Sequence, residues 1–299
     1  MTSAIYEFVS SINSDVVKRY LYKVFKVLFN VFYPFSFCFL RQGIDSDSEI
    51  IVSLTTFPAR IDSVWITIMT LLRQSVRPFK IVLWLSTDEF PNMKKGLPSK
   101  LLRLEKYGLD IRFCDNLYSH KKYYYSMKEF PNYYIVTVDD DMFYPENLLQ
   151  KLIETHFKYP NAVVCSYAHR IIVNEEGKIE EYDNWIKGTI ERGPAFDLMP
   201  VGFGGVLYPP DILSKKVFDK ECILINCPKT DDLWLKFMSL KNKKAVVRCD
   251  TMPFQFFSII RTQKSSLLIE NVHQKKNDIA IEKLSSLFPK EVKMISSRT

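Results

Sequence analysis

The chain has 299 residues, of which 47% are hydrophobic and 25% are charged, and these values favour one large globular domain with appendages. The sequence shows no internal repeat, which excludes a repeat array. With only 9 glycines, it also excludes glycine-rich linkers. The net charge of +7 is uneven: residues 1–43 carry five Lys/Arg against two acids, residues 44–214 carry 19 against 23, and residues 215–299 carry 17 against nine. Basic ends favour anionic lipid or a phosphate-bearing substrate as partner. No nucleic-acid-binding motif occurs, so we expect no nucleic-acid partner.

The first predicted element is an amphipathic helix that starts at Asp15. Its helical spacing places Lys18, Arg19, Lys23 and Lys26 on one side and Val17, Leu21, Val24 and Leu28 on the other. The uncharged run 27–40 has 14 residues, whereas a spanning helix needs about 20. The pattern predicts a helix lying in a membrane interface, with packing on the protein's own core or on a second subunit as alternatives. The stretch 45–49 is polar and is predicted to be a linker, so we assign residues 1–48 to a membrane-associating segment and linker.

The six cysteines lack Cys-x-x-Cys spacing, and several lie in apolar, strand-like runs. This favours reduced thiols in a cytosolic compartment. The chain also does not begin with the pattern of a cleaved signal peptide, because its apolar stretch starts late. We expect a cytoplasmic protein that is peripheral at the inner face of the cell membrane.

From residue 49 the chain alternates strands and helices. Strands are predicted at 50–54, 79–85, 109–114, 133–138 and 162–166, helices at 63–74, 99–107, 122–130 and 145–157, and a hairpin at 170–179. Such alternation predicts βαβ units and an α/β fold with a mainly parallel sheet flanked by helices. The catalytic domain is assigned to residues 49–250, and residues 251–299 form a basic C-terminal segment.

Three acids follow a strand that is predicted to be fully buried. The β-branched run 135–138 ends at Asp139, Asp140 and Asp141, and Pro145 then stands at the first position of a helix. Adjacent carboxylates repel one another unless a cation lies among them, and the carboxyl ends of strands are where α/β folds bind ligands. Oxygen ligands suit Mg²⁺ or Mn²⁺. The alternative is a solvated acidic turn that caps the next helix.

A nucleotide-binding α/β half, an Asp-x-Asp at a strand end and then a mixed half resemble the GT-A fold glycosyltransferases, in particular bacterial family-2-type enzymes of surface polysaccharide assembly. The resemblance covers roughly residues 49–250. It implies a GT-A, Rossmann-like fold, a divalent metal (Mn²⁺ or Mg²⁺) and a nucleotide-sugar donor. It also implies that Asp141 is a direct metal ligand, that Asp139 contacts metal and donor, and that Asp140 belongs to the donor site.

Further donor contacts follow from the same resemblance. Thr55 ends the first strand, Asp88 follows the second, and Lys122 lies where the family has a basic residue. The family's Asp-Asp-Gly-Ser after strand two is absent here, and its Ala-Arg-Asn before strand four is replaced by His-Lys-Lys. For Asp88 a loop cap is the alternative, and for Lys122 a solvated helix start.

Three of the nine glycines lie within four positions, at Gly202, Gly204 and Gly205. This stretch does not match the dinucleotide-binding fingerprint. It resembles the family's loop that lines the sugar and acceptor site, with a tight turn between strands as the alternative.

A second acidic pair, Asp231 and Asp232, follows Thr230 at a predicted helix start. Helix capping by Thr230 and the favourable dipole position of the acids are one explanation. The resemblance implies another, in which Asp232 deprotonates the acceptor hydroxyl and Asp231 replaces the family's Glu. A carboxylate base beside the attacked carbon is the chemistry that sugar transfer requires.

Three late residues are weaker candidates by the same resemblance, namely His273 as a metal ligand and Arg261 and Lys264 as diphosphate contacts. Together the motifs favour a metal-dependent, inverting glycosyltransferase that uses a nucleotide-sugar and a glycan or lipid-linked glycan acceptor in bacterial surface polysaccharide synthesis. Two alternatives stay open: a nucleotidyltransferase acting on a sugar phosphate, and a non-catalytic, membrane-tethered glycan-binding protein.

Overall fold

A seven-stranded mixed sheet forms the centre of the protein, in a computed structural model that describes residues 2–41, 43–250, 256–260 and 275–296. The described strands are β1 (Ile50–Thr55), β2 (Lys80–Ser86), β3 (Leu109–Cys114), β4 (Tyr134–Thr137), β5 (Met142–Phe143), β6 (Val163–Cys165), β7 (Ala168–Arg170), β8 (Leu198–Pro200), β9 (Val206–Tyr208), β10 (Val246–Arg248) and β11 (Phe257–Ser258). The central sheet has the order β10-β6-β9-β4-β1-β2-β3. The pairs β7–β8 and β5–β11 form two small antiparallel sheets.

The predicted α/β class and mainly parallel sheet are confirmed. Strands β3, β2, β1 and β4 are mutually parallel, as are β6 and β10, and β9 alone runs antiparallel to its neighbours β4 and β6. This arrangement is compatible with a Rossmann-like fold.

Helices cover both faces of the sheet. They are α1 (Thr2–Ser11), α2 (Asp15–Phe32), α3 (Val64–Leu71), α4 (Ser99–Leu102), α5 (Lys121–Glu129), α6 (Leu148–Lys158), α7 (Lys220–Asn226), α8 (Asp231–Lys241), α9 (Lys276–Leu287) and α10 (Pro289–Ser296). Side chains alternate across β1, so Val52 lies in the cluster that contains Ile68 of α3, and Ile51 lies in the cluster that contains Met127 of α5. Both faces of this strand are therefore buried, which explains its unbroken hydrophobic run.

The helix after the three acids begins later than predicted. Pro145 is not its first residue, because α6 starts at Leu148. Instead the Pro145 carbonyl accepts a hydrogen bond of 2.7 Å from the buried side chain of Gln74, and the Glu146 carbonyl accepts one from the backbone of Ser75. The Gln74 side chain also accepts from the N–H of Leu149, which satisfies one open donor of the first turn.

Two further predicted elements are modified by local geometry. The helix expected at 99–107 divides into α4 and a 3₁₀ turn, and it ends at Gly108, whose φ of 118° favours glycine. The hairpin expected at 170–179 is present only as a tight turn with an isolated antiparallel bridge between Val173 and Ile179. Its first residue, Arg170, belongs to β7, which pairs with β8 instead.

The N-terminal helices pack on the main body through the β5–β11 pair. The Tyr6 hydroxyl donates to the Phe143 carbonyl at 2.6 Å and accepts from the Phe257 N–H at 2.8 Å, so it bridges both strands. The Phe257 ring lies 5.0 Å from the ring centre of Tyr22 and 5.1 Å from that of Phe29. Helices α1 and α2 therefore share a hydrophobic cluster with the sheet.

Helices α9 and α10 pack against α8 in the C-terminal segment. The Phe288 ring between them lies 6.2 Å from the Trp234 ring centre and 5.9 Å from that of Phe237. Part of the basic segment assigned to 251–299 is thus buried against the main body.

Within the described residues, no helix combines the length and the apolar character needed to cross a membrane. All six cysteines are free thiols, and none forms a disulfide bond.

Candidate functional site

The site lies at the carboxyl ends of three adjacent strands. Thr55 ends β1, Asp88 follows β2 and Asp139 follows β4, and these strands are neighbours in the order β4-β1-β2. The chain passes from β1 to β2 on one side and enters β4 on the other, so the β1/β4 gap is a topological switch point. Ligands bind at such points in open α/β sheets. The sheet thus brings the predicted donor residues to one edge.

The Asp140 carboxylate is held from two sides. It lies 2.6 Å from Nη1 of Arg60 and accepts a hydrogen bond from the Thr56 hydroxyl, and all three side chains are buried. The Asp140 carbonyl accepts a further bond of 2.9 Å from the Thr67 hydroxyl of α3. Asp140 therefore anchors the loop after β1 to the acid stretch, and its carboxylate has little free capacity for a ligand.

Asp141 is buried beside the same guanidinium but is less well compensated. Its Oδ2 lies 3.2 Å from Nη1 of Arg60, which also serves Asp140. Burial, followed by the charge of Asp140, raises the pKa of Asp141 to about 7. The Asp141 carbonyl accepts from the N–H of Ile259, which ties it to the end of β11. The alternative of a solvated acidic turn is wrong for Asp140 and Asp141, because both are buried against the body.

Lys122 is buried between Asp139, which belongs to the three acids after β4, and Asp231, which belongs to the acid pair at the start of α8. Its Nζ lies 2.7 Å from Oδ1 of Asp139 and 3.0 Å from Oδ2 of Asp231, the second contact being an ion pair without hydrogen-bond alignment. Burial alone would lower the pKa of Lys122, but the carboxylates of Asp139 and Asp231 hold that pKa well above its usual value. The alternative of a solvated helix start is therefore wrong for this residue.

Helix α5 is fixed at this place by a buried polar contact with the sheet. The Ser53 hydroxyl of β1 donates to the Lys122 carbonyl and lies 2.7 Å from the Ser126 hydroxyl. The indole N–H of Trp84 on β2 donates to the same Ser126 oxygen at 2.7 Å. These bonds hold the first turn of α5 against β1 and β2 and so position the Lys122 ammonium.

Asp231 and Asp232 begin α8 but have different environments. Burial alone would raise the pKa of Asp231, but the Lys122 ammonium beside it holds that pKa below the usual value. Asp232 is half-buried, and burial, followed by the charge of Asp231, raises its pKa to about 7. Thr230 occupies the cap position without a side-chain capping bond, so hydroxyl capping by Thr230 is wrong.

The glycine loop contacts this acid pair directly. Gly202 lies in a 3₁₀ turn between β8 and β9, and its N–H donates to Oδ2 of Asp232 at 2.9 Å. A Cβ at position 202 would lie 2.8 Å from Oδ1 of Asp232 and 3.0 Å from Nζ of Lys122. A side chain at position 202 would therefore force the Asp232 carboxylate or the Lys122 ammonium to move. The alternative of a tight turn between strands is thus confirmed, and this turn contacts Asp232.

Other predicted residues have different surroundings. The Thr55 hydroxyl donates to the Trp84 carbonyl at 2.8 Å, and Asp88 is exposed in the turn after β2. His273, Arg261 and Lys264 lie outside the described residues.

Arg60 and Thr56 were missed by the sequence reasoning. Both lie in the loop after β1, directly beyond Thr55. Their position in the sequence was a signal, because residues just beyond the end of β1 lie at the same edge of the sheet as the acids that follow the parallel strand β4.

The acids provide a partial donor set for a divalent cation. Within the described part of the chain, no group of three His, Cys, Asp or Glu side chains has the arrangement of a metal site. Asp139 and Asp141 offer carboxylate oxygens, which suit a hard cation, and Asp141 shares a single Arg60 nitrogen with Asp140. These two side chains fit Mg²⁺ or Mn²⁺ if donor phosphates and water supply the other ligands.

Comparison with known proteins found no family model that matches the sequence and no matching curated protein. The case for an activity therefore rests on the geometry of the site.

Proposed function

We propose that this protein is a metal-dependent glycosyltransferase of GT-A fold that transfers a sugar from a nucleotide-sugar to a hydroxyl of a glycan or lipid-linked glycan. The observation that carries the proposal is the contact of one buried ammonium, that of Lys122, with both Asp139 and Asp231. Two acidic motifs that are distant in sequence thereby form one site. One suits a diphosphate-bound cation and the other suits a base, which are the two functions that sugar transfer from a nucleotide requires.

The donor would bind across the β1/β4 switch point. Asp139 and Asp141 would hold the divalent cation, which when bound neutralises charge on the departing nucleoside diphosphate. Thr55 and Asp88, at the ends of β1 and β2, lie on the side of the edge where the nucleoside would extend. Asp140 would support the site through its buried pair with Arg60 rather than contact the donor.

Asp232 is better suited than Asp231 to act as the base. Lys122 holds Asp231 as a stable carboxylate of low basicity, whereas the pKa of Asp232 is raised to about 7. A general base works best when its pKa lies near the working pH. The Gly202 N–H occupies Oδ2 of Asp232, so Oδ1 is the oxygen left to accept a proton.

The proposed reaction is a single displacement with inversion. The acceptor oxygen forms a bond to the anomeric carbon as the bond from that carbon to the diphosphate oxygen breaks. The acceptor proton passes to Asp232, and the nucleoside diphosphate leaves with the bonding electron pair. Lys122 keeps its proton throughout and fixes the separation of the two acidic groups.

We place this activity in the cytoplasm at the inner face of a bacterial cell membrane, in surface polysaccharide assembly. The support is the basic, apolar N-terminal segment together with the free state of all six thiols.

The test is turnover of a panel of nucleotide-sugars with Mn²⁺ or with EDTA, comparing Asp232→Asn, Asp231→Asn and the exposed control Asp211→Asn. We expect nucleoside diphosphate release that depends on metal and rises with pH through about 7, the pKa of Asp232. Asp232→Asn should lower the rate on the order of 100-fold or more without weakening donor binding. The control should match the wild type.

Other outcomes would reject the proposal or part of it. Release of pyrophosphate instead of a nucleoside diphosphate would indicate nucleotidyl transfer. A product that keeps the donor's anomeric configuration would remove the base role of Asp232. Binding of glycans without turnover of any donor would indicate a binding protein.

A further inference from the structure

Helix α2 packs on the body through its aromatic side and turns its aliphatic side outward. Phe25 and Phe29 lie within 6.5 Å and 5.1 Å of the Phe257 ring centre. At 100° per residue, Val27 and Val31 lie on the opposite side of the helix, and both are exposed. The helix therefore has two apolar sides, an inner one that contacts the body and an outer one that is exposed.

The exposed apolar surface continues beyond α2 into the 3₁₀ segment Tyr33–Phe39. Tyr20 is 67% exposed, Phe35 is 74% exposed and Phe39 is 79% exposed. Of the 21 large hydrophobic side chains exposed in the described part of the chain, ten lie between Phe8 and Phe39. Such concentration on one short segment marks an interaction surface, whereas isolated exposed hydrophobics do not. We call this surface the outer face; it consists of Val16, Val17, Tyr20, Val27, Leu28, Val31, Phe35 and Phe39.

The charges around the outer face are basic. Residues 2–41 contain five Lys/Arg and two acids, a net charge of +3. Arg19, Lys23 and Arg41 are exposed, and none of them forms an ion pair with a described residue. A basic rim around apolar and aromatic side chains matches the surface of an anionic bilayer, where phosphates meet the rim and acyl chains meet the centre. A second copy of the same face would instead bring like charges together.

We propose that the outer face is a docking surface for an anionic lipid bilayer, with α2 lying in the plane of the interface. An 18-residue helix gives a contact about 27 Å long, enough to orient the protein. The inner side of the same helix holds β11, which pairs with β5 directly after Asp141. Docking of α2 therefore sets the distance between the membrane and the residues Asp139, Asp140 and Asp141, and it sets the tilt of the sheet edge at which they lie. Membrane binding does not depend on sugar transfer. Either proposal can therefore be rejected by its own experiment while the other remains valid.

The experiment compares the full chain with two double variants in vesicle co-sedimentation. Val27→Glu/Val31→Glu changes the outer face, and Ile186→Glu/Ile225→Glu changes two equally exposed aliphatic residues elsewhere. Both variants alter the net charge by the same amount, so they separate the apolar contact from bulk electrostatics. Vesicles of phosphatidylcholine with phosphatidylserine are compared with phosphatidylcholine alone.

We expect the wild type and the Ile186/Ile225 variant to bind the anionic vesicles, with binding that weakens as salt rises. The Val27/Val31 variant should bind about tenfold more weakly or worse, since two aliphatic side chains no longer leave water. An equal loss in both variants, or no binding of the wild type to anionic vesicles, would overturn the proposal. So would a wild-type dimer in light scattering that only the Val27/Val31 variant dissolves, because the outer face would then be a contact between copies.

Discussion

Replacing Lys122 with methionine should leave the acids around it without their shared cation. The side chain of Lys122 is 5% exposed, and its two carboxylate contacts lie at 2.7 Å and 3.0 Å. Near 3 Å and with an effective dielectric constant of about 20, each contact corresponds to roughly 5 kcal/mol before the cost of burying the ammonium. Measured losses of one partner from a buried pair are about 3–5 kcal/mol, and we expect a loss of that size here.

The neighbouring lysine provides a matched control. Lys121 is equally buried, but its ammonium meets a single carboxylate, that of Glu89, which is 25% exposed. Methionine has a similar length and no charge, so Lys121→Met removes a comparable buried cation. We expect it to cost about 1–2 kcal/mol, because water can solvate the carboxylate that it leaves behind.

The assay is equilibrium unfolding in denaturant at several pH values, in EDTA. Without Lys122, the carboxyl groups of Asp231 and Asp232 should have higher pKa values in the folded state than they have in the wild type. A raised carboxyl pKa gives stability that is present at low pH and is lost as pH rises above the unfolded value near 4. The deficit of Lys122→Met relative to wild type should therefore be small near pH 4.5 and reach its full size near pH 8. A deficit that does not change with pH, or an equal deficit for Lys121→Met, would refute the electrostatic account of the site.

Three further outcomes follow from particular contacts. Gly202→Ala should lower the rate of sugar transfer at least tenfold, because its Cβ would lie 2.8 Å from Oδ1 of Asp232. It should change the free energy of unfolding less than Lys122→Met does, and unchanged donor turnover would contradict the assigned geometry. Tyr6→Phe should destabilise the protein by about 1–3 kcal/mol in thermal unfolding, since the buried Phe257 N–H loses its acceptor; an unshifted melting curve would argue against the bridge. Deleting residues 2–41 should lower stability further than Tyr6→Phe and increase binding of a hydrophobic dye, as it uncovers Phe143; a deletion variant as stable as the full chain would show that the segment is independent.

Local patterns were sufficient to predict the sheet and its acidic edge. The buried strand that ends at Thr137 and the acids that follow it are adjacent in the chain. A hydrophobic run that ends in polar residues therefore predicts both the strand and the acidic edge of the sheet. Parallel strand order then brings Thr55 to the same edge. These inferences need no knowledge of distant contacts.

The environment of Lys122 could not be predicted in this way. A lysine in a first helical turn is ordinarily solvated, and its burial here depends on Asp231, which is supplied by α8 much later in the chain. The orientation of α2 was equally hidden. Hydrophobic periodicity identifies an apolar side that contains Val24 and Leu28, but the strand pair recruits the side that contains Phe25 and Phe29. A sequence with two apolar sides does not state which one a distant partner will cover.

The bridge from Tyr6 to β11 also has a consequence for biosynthesis. Its two ends, Tyr6 and Phe257, are 251 residues apart, so the first helices leave the ribosome long before the strand that covers them exists. At about 5–20 residues per second, that interval is roughly 13–50 s. Phe29 of α2 can contact Phe143 once β5 has been made, but its contact with Phe257 cannot form until β11 appears. Contacts of such high sequence separation form slowly even after release. The contacts that hold the N-terminal helices on the β5–β11 pair are therefore completed only after most of the chain has been synthesised.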